Sequence, residues 1–138
     1  MSAPSKPASI RRQNTLGRVL GLGSAKAGSH HWVMQRLTAV ALVPLSIWFT
    51  VVAVSLTGAD YGTFIDWQAQ FGNLVLMILF IGALFYHAQS GVQVVIEDYV
   101  SCKAIKVASI VATRFVAALG AVACWVAVVL VAVQGLTK

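Results

Sequence analysis

His87 is the residue whose type and position most clearly suggest chemistry, because it lies in an apolar segment, residues 71–96, without any Asp, Glu, Lys or Arg. The segment stops at Glu97, and a helical rise of about 1.5 Å per residue places His87 about 15 Å from that boundary. In a bilayer this depth is near the midplane, where an ionisable side chain is costly unless it has a partner. The position predicts a haem ligand, a proton relay or a substrate contact. A neutral imidazole that bonds a neighbouring helix is the structural alternative.

Gly91 and Asp98 share a helical face with His87. Gly91 follows one turn later, and its missing side chain would let a flat ring lie against the helix, although glycine also permits close helix packing. Asp98 follows about three turns after His87, and Tyr99 is next to it. These residues indicate an ordinary helix end in headgroup water, although a tyrosine beside an aspartate at this boundary can reach both water and lipid.

The other two histidines, His30 and His31, precede the first apolar segment. Their expected depth differs from that of His87 by about half the hydrocarbon thickness, so they cannot ligate the same haem iron. If His87 is one of two axial histidines, the other must belong to a different chain. Arg36 enters the apolar layer just inside its boundary and could face a haem propionate. Snorkelling to lipid phosphates is the structural alternative for Arg36.

Three apolar segments must position these residues, and they cover approximately residues 36–57, 71–96 and 107–133. Each is as long as the roughly 20 residues that a helix needs to cross a bilayer. The segments do not alternate as barrel strands do, and 59% hydrophobic with 10% charged residues excludes a soluble domain. The predicted fold class is therefore all-α, an integral membrane bundle of three transmembrane helices in domain 29–138, preceded by a basic tail, residues 1–28.

The length and cysteine content exclude several kinds of catalytic centre. Three spans in a chain of 138 residues leave no room for a flavin or nucleotide domain. Cys102 and Cys124 cannot supply the four thiolates of a usual iron–sulfur cluster, so any electron source must lie on another polypeptide. The net charge of +6 comes from scattered residues without a nucleic-acid motif. We expect contact with anionic membrane lipid and no nucleic acid among the partners.

The distribution of charge predicts the orientation of the spans. The segment before the first span contains Lys and Arg and no acid, whereas loop 57–70 contains Asp60 and Asp66 and no Lys or Arg. The next loop returns Lys103 and Lys106 to the basic side. Because basic loops remain on the inner side, the N-terminus is predicted to be cytoplasmic and the C-terminus to lie on the opposite side.

Two parts of the sequence resemble the small membrane anchor family of succinate dehydrogenase. H-A-Q-S-G at residues 87–91, followed by D-Y-V at residues 98–100, is similar to the second helix of that family. The segment 28–39, in which Arg36 follows His30, resembles the start of its first helix. The similarity extends from residue 28 to the C-terminus, although the third helix matches only in hydrophobicity.

The resemblance implies a membrane anchor subunit of succinate:ubiquinone oxidoreductase, which links the tricarboxylic acid cycle to the respiratory chain. His87 would be an axial ligand of haem b, with the other ligand on a second haem-binding anchor subunit. Gly91 would allow the haem to pack against its helix. Arg36 and His30 would contact the haem propionates.

The same resemblance implies a quinone site and further subunits. Tyr99 would hydrogen-bond a ubiquinone carbonyl, and Asp98 would support Tyr99 or the local proton path. The chain would be a non-flavin subunit of the enzyme, since the flavin and the iron–sulfur centres would lie on partner flavoprotein and iron–sulfur subunits. We expect a bacterial inner (plasma) membrane as the location, with a mitochondrial inner membrane as the alternative.

Three other functions fit parts of the sequence. The first is a haem-free structural anchor or assembly partner, in which His87 only bonds across helices. The second is a small transporter or channel subunit with His87 as a proton relay, although no acidic residue lies at its depth in the other spans. The third is the anchor of a quinol:fumarate reductase, whose direction of reaction would depend on its partners.

Overall fold

The computed structural model describes residues 25–137 and contains four helices there. We number them α1 (Ala25–Ser55), α2 (Tyr61–Gln68), α3 (Phe71–Tyr99) and α4 (Lys103–Leu136). No strand occurs between residues 25 and 137. The described residues from Val33 onward form one compact unit, and those up to Trp32 belong to a separate one. Most of the predicted basic tail, residues 1–28, lies outside the described residues.

Three helices are long and apolar enough to cross a membrane: Trp32–Ser55, Phe71–Tyr99 and Lys103–Leu136. They confirm the predicted all-α fold with three transmembrane helices, and the chain is a multi-pass membrane protein. α3 and α4 extend beyond the predicted spans 71–96 and 107–133. The 29 residues of α3 measure about 44 Å along the axis, close to the full thickness of a bilayer with its headgroups. Charged residues at the predicted boundaries therefore remain helical.

The sequence predicts only a loop for residues 57–70, and this prediction is wrong for α2. Gly58 has a φ of 83°, a left-handed conformation that lets the chain turn after α1. Asp60 caps α2, because its carboxylate accepts hydrogen bonds from the Thr63 hydroxyl and from the Thr63 backbone N–H at 3.4 Å. These bonds, the hydroxyl bond foremost, hold the pKa of the Asp60 carboxyl below its ordinary value.

α3 and α4 pack closely because glycines lie where the two helices meet. A Cβ atom added to Gly120 would lie 2.6 Å from a ring carbon of Phe85, and one added to Gly82 would lie 3.1 Å from Trp125. The indole N–H of Trp125 donates to the backbone carbonyl of Ile78 at 3.0 Å. Small residues that admit a large neighbour are the usual device for helix association in membranes.

α1 contacts the other helices only through side chains. Within the described residues, no Cα of α1 lies within 8 Å of a Cα of another helix. Phe49 stacks on Phe80 with 4.7 Å between ring centroids, and Trp48 stacks on Trp67 of α2 at 6.2 Å. No side chain among residues 32–55 is fully buried. The stacked pair Phe49–Phe80 and the contact between Thr38 and His87 therefore join α1 to α3 without close approach of the backbones.

Candidate functional site

His87 faces α1 rather than α4. At about 100° per residue, Phe80, Gly91 and Asp98 lie within about 40° of His87 around the α3 axis, whereas Gly82 lies about 140° away. Phe80 contacts α1 and Gly82 contacts α4. The predicted haem ligand therefore belongs to the loosely packed side of the chain.

The imidazole of His87 is partly buried and uses one nitrogen to contact α1. Its Nδ1 lies 3.3 Å from the hydroxyl oxygen of Thr38. Within the described residues, Nε2 of His87 makes no hydrogen bond. A ring that bonds a neighbouring helix through Nδ1 keeps Nε2 for a ligand, so a helix contact and metal ligation are compatible here.

The α3 surface one turn from His87 is open. A Cβ atom added to Gly91 would meet no atom of the described residues within 4 Å, whereas one added to Gly82 would lie 3.1 Å from Trp125 of α4. The neighbouring Ser90 is fully buried, at 0% exposure, and its hydroxyl donates to the backbone carbonyl of His87 at 2.9 Å. A flat group bound by His87 would need a free ring nitrogen and space beside the helix, and the surface at His87 and Gly91 offers both.

Asp98 and Tyr99 form the end of α3, beyond the predicted span 71–96. The backbone N–H of Val100 donates to the carbonyl of Ile96 at 3.0 Å and ends the helix. Both side chains are exposed, Tyr99 at 83%, and within the described residues they form no hydrogen bond with each other. The phenol and the carboxylate are therefore available to a small molecule or to another chain.

Arg36 and His30 both lie on α1, with exposed side chains. Arg36 is two residues before Thr38 and belongs to the compact unit that contains His87. His30 belongs to the separate unit that ends at Trp32. The backbone of His31 also lies in α1.

A polar network at the α3–α4 contact was not predicted. The side chain of Gln93, only 9% exposed, donates from Nε2 to Glu97 at 2.7 Å. Its Oε1 accepts from Gln89 at 3.2 Å and from Nη2 of Arg114 at 3.1 Å. In the sequence, this network could have been predicted only from the four-residue spacing of Gln89, Gln93 and Glu97, which places their side chains on one helical face. Arg114 of α4 thus has a hydrogen-bond partner on α3.

The described residues offer His87 as a single protein ligand rather than a metal cluster. Within residues 25–137, no group of three or more His, Cys, Asp or Glu side chains could hold a metal ion. Cys102 and Cys124 are both free thiols. This donor set fits a haem iron that takes one imidazole from this chain, since the porphyrin supplies the equatorial nitrogens.

Comparison with known proteins places the chain in a family. The succinate dehydrogenase/fumarate reductase transmembrane subunit family matches residues 10–133. The succinate dehydrogenase hydrophobic membrane anchor subunit of Rickettsia bellii is 40% identical over 107 residues, which cover 77% of this chain and 85% of that protein. The corresponding subunit of Rickettsia typhi is 31% identical over 106 residues, which cover 76% of this chain and 84% of that protein.

A more distant relative extends the comparison. The succinate dehydrogenase membrane anchor subunit of Reclinomonas americana is 30% identical over 95 residues, covering 67% of this chain and 79% of that protein. No solved structure matches the chain. The matches confirm the predicted membrane anchor, and the chain belongs to the succinate dehydrogenase/fumarate reductase transmembrane subunit family.

Proposed function

We propose that this chain is the membrane anchor of a succinate:ubiquinone oxidoreductase and that it binds haem b together with a second anchor subunit. The observation that carries the haem assignment is the environment of His87. One ring nitrogen contacts α1, the other makes no hydrogen bond within the described residues, and the adjacent face at Gly91 is open. Haem b, when bound, supplies a one-electron carrier within the bilayer.

The proposed haem residues have distinct tasks. His87 would hold the iron through Nε2, and a histidine of the second anchor subunit would provide another ligand. Gly91 leaves room for the ring edge beside α3. Arg36 and, nearer the start of α1, His30 offer hydrogen-bond donors to the propionates, where a guanidinium forms the stronger charge-assisted pair.

The proposed quinone residues are Tyr99 and Asp98. Reduction of ubiquinone takes two electrons and two protons, so the site must be reachable from both lipid and water. The exposed phenol of Tyr99 donates a hydrogen bond to a quinone carbonyl, and the Asp98 carboxylate accepts protons from water and passes them on. The electrons would come from an iron–sulfur subunit, which would receive them from a flavoprotein subunit.

The Tyr99 assignment is tested by Tyr99→Phe in the purified complex. We expect ubiquinone reduction to fall severalfold while succinate-to-dye activity is unchanged, because a dye takes electrons before the quinone site. Tyr61→Phe is the matched control, since Tyr61 is exposed near the opposite ends of the spans and bonds Gln134 at 3.0 Å. Unchanged quinone reduction in Tyr99→Phe removes the assignment.

The proposed orientation has the N-terminus in the cytoplasm, so that Tyr99 and the partner catalytic subunits share the inner side of the membrane. The membrane is a bacterial inner membrane, in keeping with the Rickettsia relatives, or the inner membrane of a mitochondrion. Reporter tags at the two termini should be accessible from opposite sides. Tags on the same side would overturn the orientation.

The haem assignment is tested by His87→Ala in the complex purified with its partner subunits. We expect loss or alteration of the haem b spectrum and a lower haem content in a pyridine haemochrome assay. Tyr86→Phe is the matched control, because Tyr86 has nearly the same depth on a different face of α3. An unchanged low-spin spectrum in His87→Ala would show that His87 is not the ligand.

Two observations support other candidates. The bond between Thr38 and His87 fits a haem-free structural anchor, in which the imidazole only joins α1 to α3. A wild-type complex without haem would favour that function. The family also includes fumarate reductase subunits, and comparing succinate oxidation with fumarate reduction in the complete complex separates the two activities.

A further inference from the structure

The hydroxyl proton of Thr38 is committed to its own helix. Oγ1 lies 2.9 Å from the carbonyl oxygen of Met34 and 3.0 Å from that of Gln35. A helical threonine commonly donates to a carbonyl three or four residues earlier, and Thr50 and Thr113 do so in this chain. Because a carbonyl oxygen can only accept, the proton of Thr38 points towards α1.

The third neighbour of Thr38 Oγ1 is Nδ1 of His87, at 3.3 Å. A hydroxyl has one proton and two lone pairs. Since the proton points to the carbonyls, a lone pair of Oγ1 faces the imidazole. The contact is a hydrogen bond only if Nδ1 carries a proton and donates it. A neutral imidazole has a single N–H, so Nε2 then has a free lone pair.

We propose that Thr38 is a positioning residue that selects the Nδ1–H tautomer of His87 and so presents the Nε2 lone pair to the haem iron. This inference rests on the proposed haem-binding function. A metal-bound histidine usually donates its second N–H to an acceptor, which fixes the ring orientation and raises the basicity of the ligand. Here the acceptor lies on another helix, so the same bond joins α1 to the ligand.

The opposite tautomer is disfavoured by the contacts of Thr38. If the hydroxyl donated to Nδ1, it would exchange two acceptors at 2.9 and 3.0 Å for one at 3.3 Å. Nε2 would then carry the proton, and a protonated nitrogen cannot bind iron. A doubly protonated imidazolium would place a charge near the bilayer midplane. The contact of Thr38 with His87 therefore both joins α1 to α3 and leaves Nε2 of His87 able to bind iron.

The test uses the complete purified complex with Thr38→Val, which removes the hydroxyl at similar volume, and Thr38→Ser, which retains it. The readouts are the midpoint potential of haem b and the electron paramagnetic resonance signal of the ferric state. In Thr38→Val we expect a more positive potential and an altered low-spin signal, because an imidazole without an acceptor stabilises ferric iron less. Thr38→Ser should resemble wild type.

Each outcome decides the inference. A wild-type potential and signal in Thr38→Val would overturn it, and so would an equal shift in Thr38→Ser, because the hydroxyl would then be irrelevant. If Thr38→Val does not assemble, Thr38→Ala provides the same comparison. An unchanged spectrum in His87→Ala removes the proposed function itself. Loss of the ligand in His87→Ala with an unaltered Thr38→Val removes only the tautomer assignment.

Discussion

The two sides of α3 are packed in different ways. Towards α4, glycines admit the rings of Phe85 and Trp125, and an indole N–H reaches a backbone carbonyl. Towards α1, the backbones stay apart and only side chains touch, with Gly91 facing open space. The chain thus packs α4 closely against one side of α3, and the side that faces α1 has room for another molecule.

The difference indicates which side the chain shares with other molecules. In a membrane, apolar side chains gain little from contact with each other rather than with lipid, so close packing and polar contacts decide helix association. The α3–α4 side has both. The α1–α3 side has an imidazole with a free nitrogen, which is a costly group to leave unused at that depth. This is the side of α3 at which we propose that haem b and a second anchor subunit bind.

The largest expected effect is that of Gly120→Leu. A Cβ atom at Gly120 would already lie 2.6 Å from Phe85, and the rest of a leucine would force α3 and α4 apart. Overpacking of this kind costs about 1–3 kcal/mol, and more where the backbone must move. We expect a poorly assembled complex and a lower midpoint in detergent-induced unfolding. Normal assembly would mean that the α3–α4 contact is not as close as described.

Gly91→Leu is the matched substitution on the other side of α3. Among the described residues, nothing outside the local backbone of α3 lies within 4 Å of a Cβ atom added to Gly91. The fold should therefore tolerate leucine, which also favours a helix by about 1 kcal/mol relative to glycine. We expect the subunit to insert normally while the complex loses much of its haem. Full haem content in Gly91→Leu would place the haem elsewhere and weaken the comparison between the two sides.

A smaller effect is expected from Trp125→Phe. The substitution removes the hydrogen bond to Ile78 and part of the contact with Gly82, so stability should fall by about 1 kcal/mol. Phe49→Leu on the α1 side keeps an apolar side chain and loses only a stacked ring pair at a position that is 37% exposed, so we expect a fall of about 0.5 kcal/mol, the low end for such pairs. The ratio of the two unfolding shifts, measured in the same detergent, sharpens the contrast. A larger shift in Phe49→Leu would reverse it.

Much of the fold follows from the sequence because the bilayer limits the possible structures. Three apolar segments of sufficient length can only be helices, and the structure has them. The short helix α2 was missed because eight residues carry too little periodicity, and its signal was the cap at Asp60. The sequence does not predict the extension of α3 to Tyr99, because Glu97 and Asp98 indicate the end of the apolar span. A helix can continue past that point with its charged side chains among the lipid headgroups.

The candidate site was predictable only in part. His87, Gly91 and Asp98 share one face through helical periodicity alone, and the sequence identifies that face. Thr38, which contacts His87, lies 49 residues before it, and no local pattern links positions so distant. The network around Gln93 also needs the packing of α4, since the guanidinium of Arg114 comes from a separate helix.

The proposed ligand role of His87 is tested most directly by chemical rescue of His87→Gly in the purified complex. The glycine leaves space for free imidazole, which can occupy the vacated axial position of the iron. We predict that the low-spin haem b spectrum is lost in His87→Gly and returns when imidazole is added. A low-spin spectrum that is the same in wild type and in His87→Gly without imidazole would contradict the account.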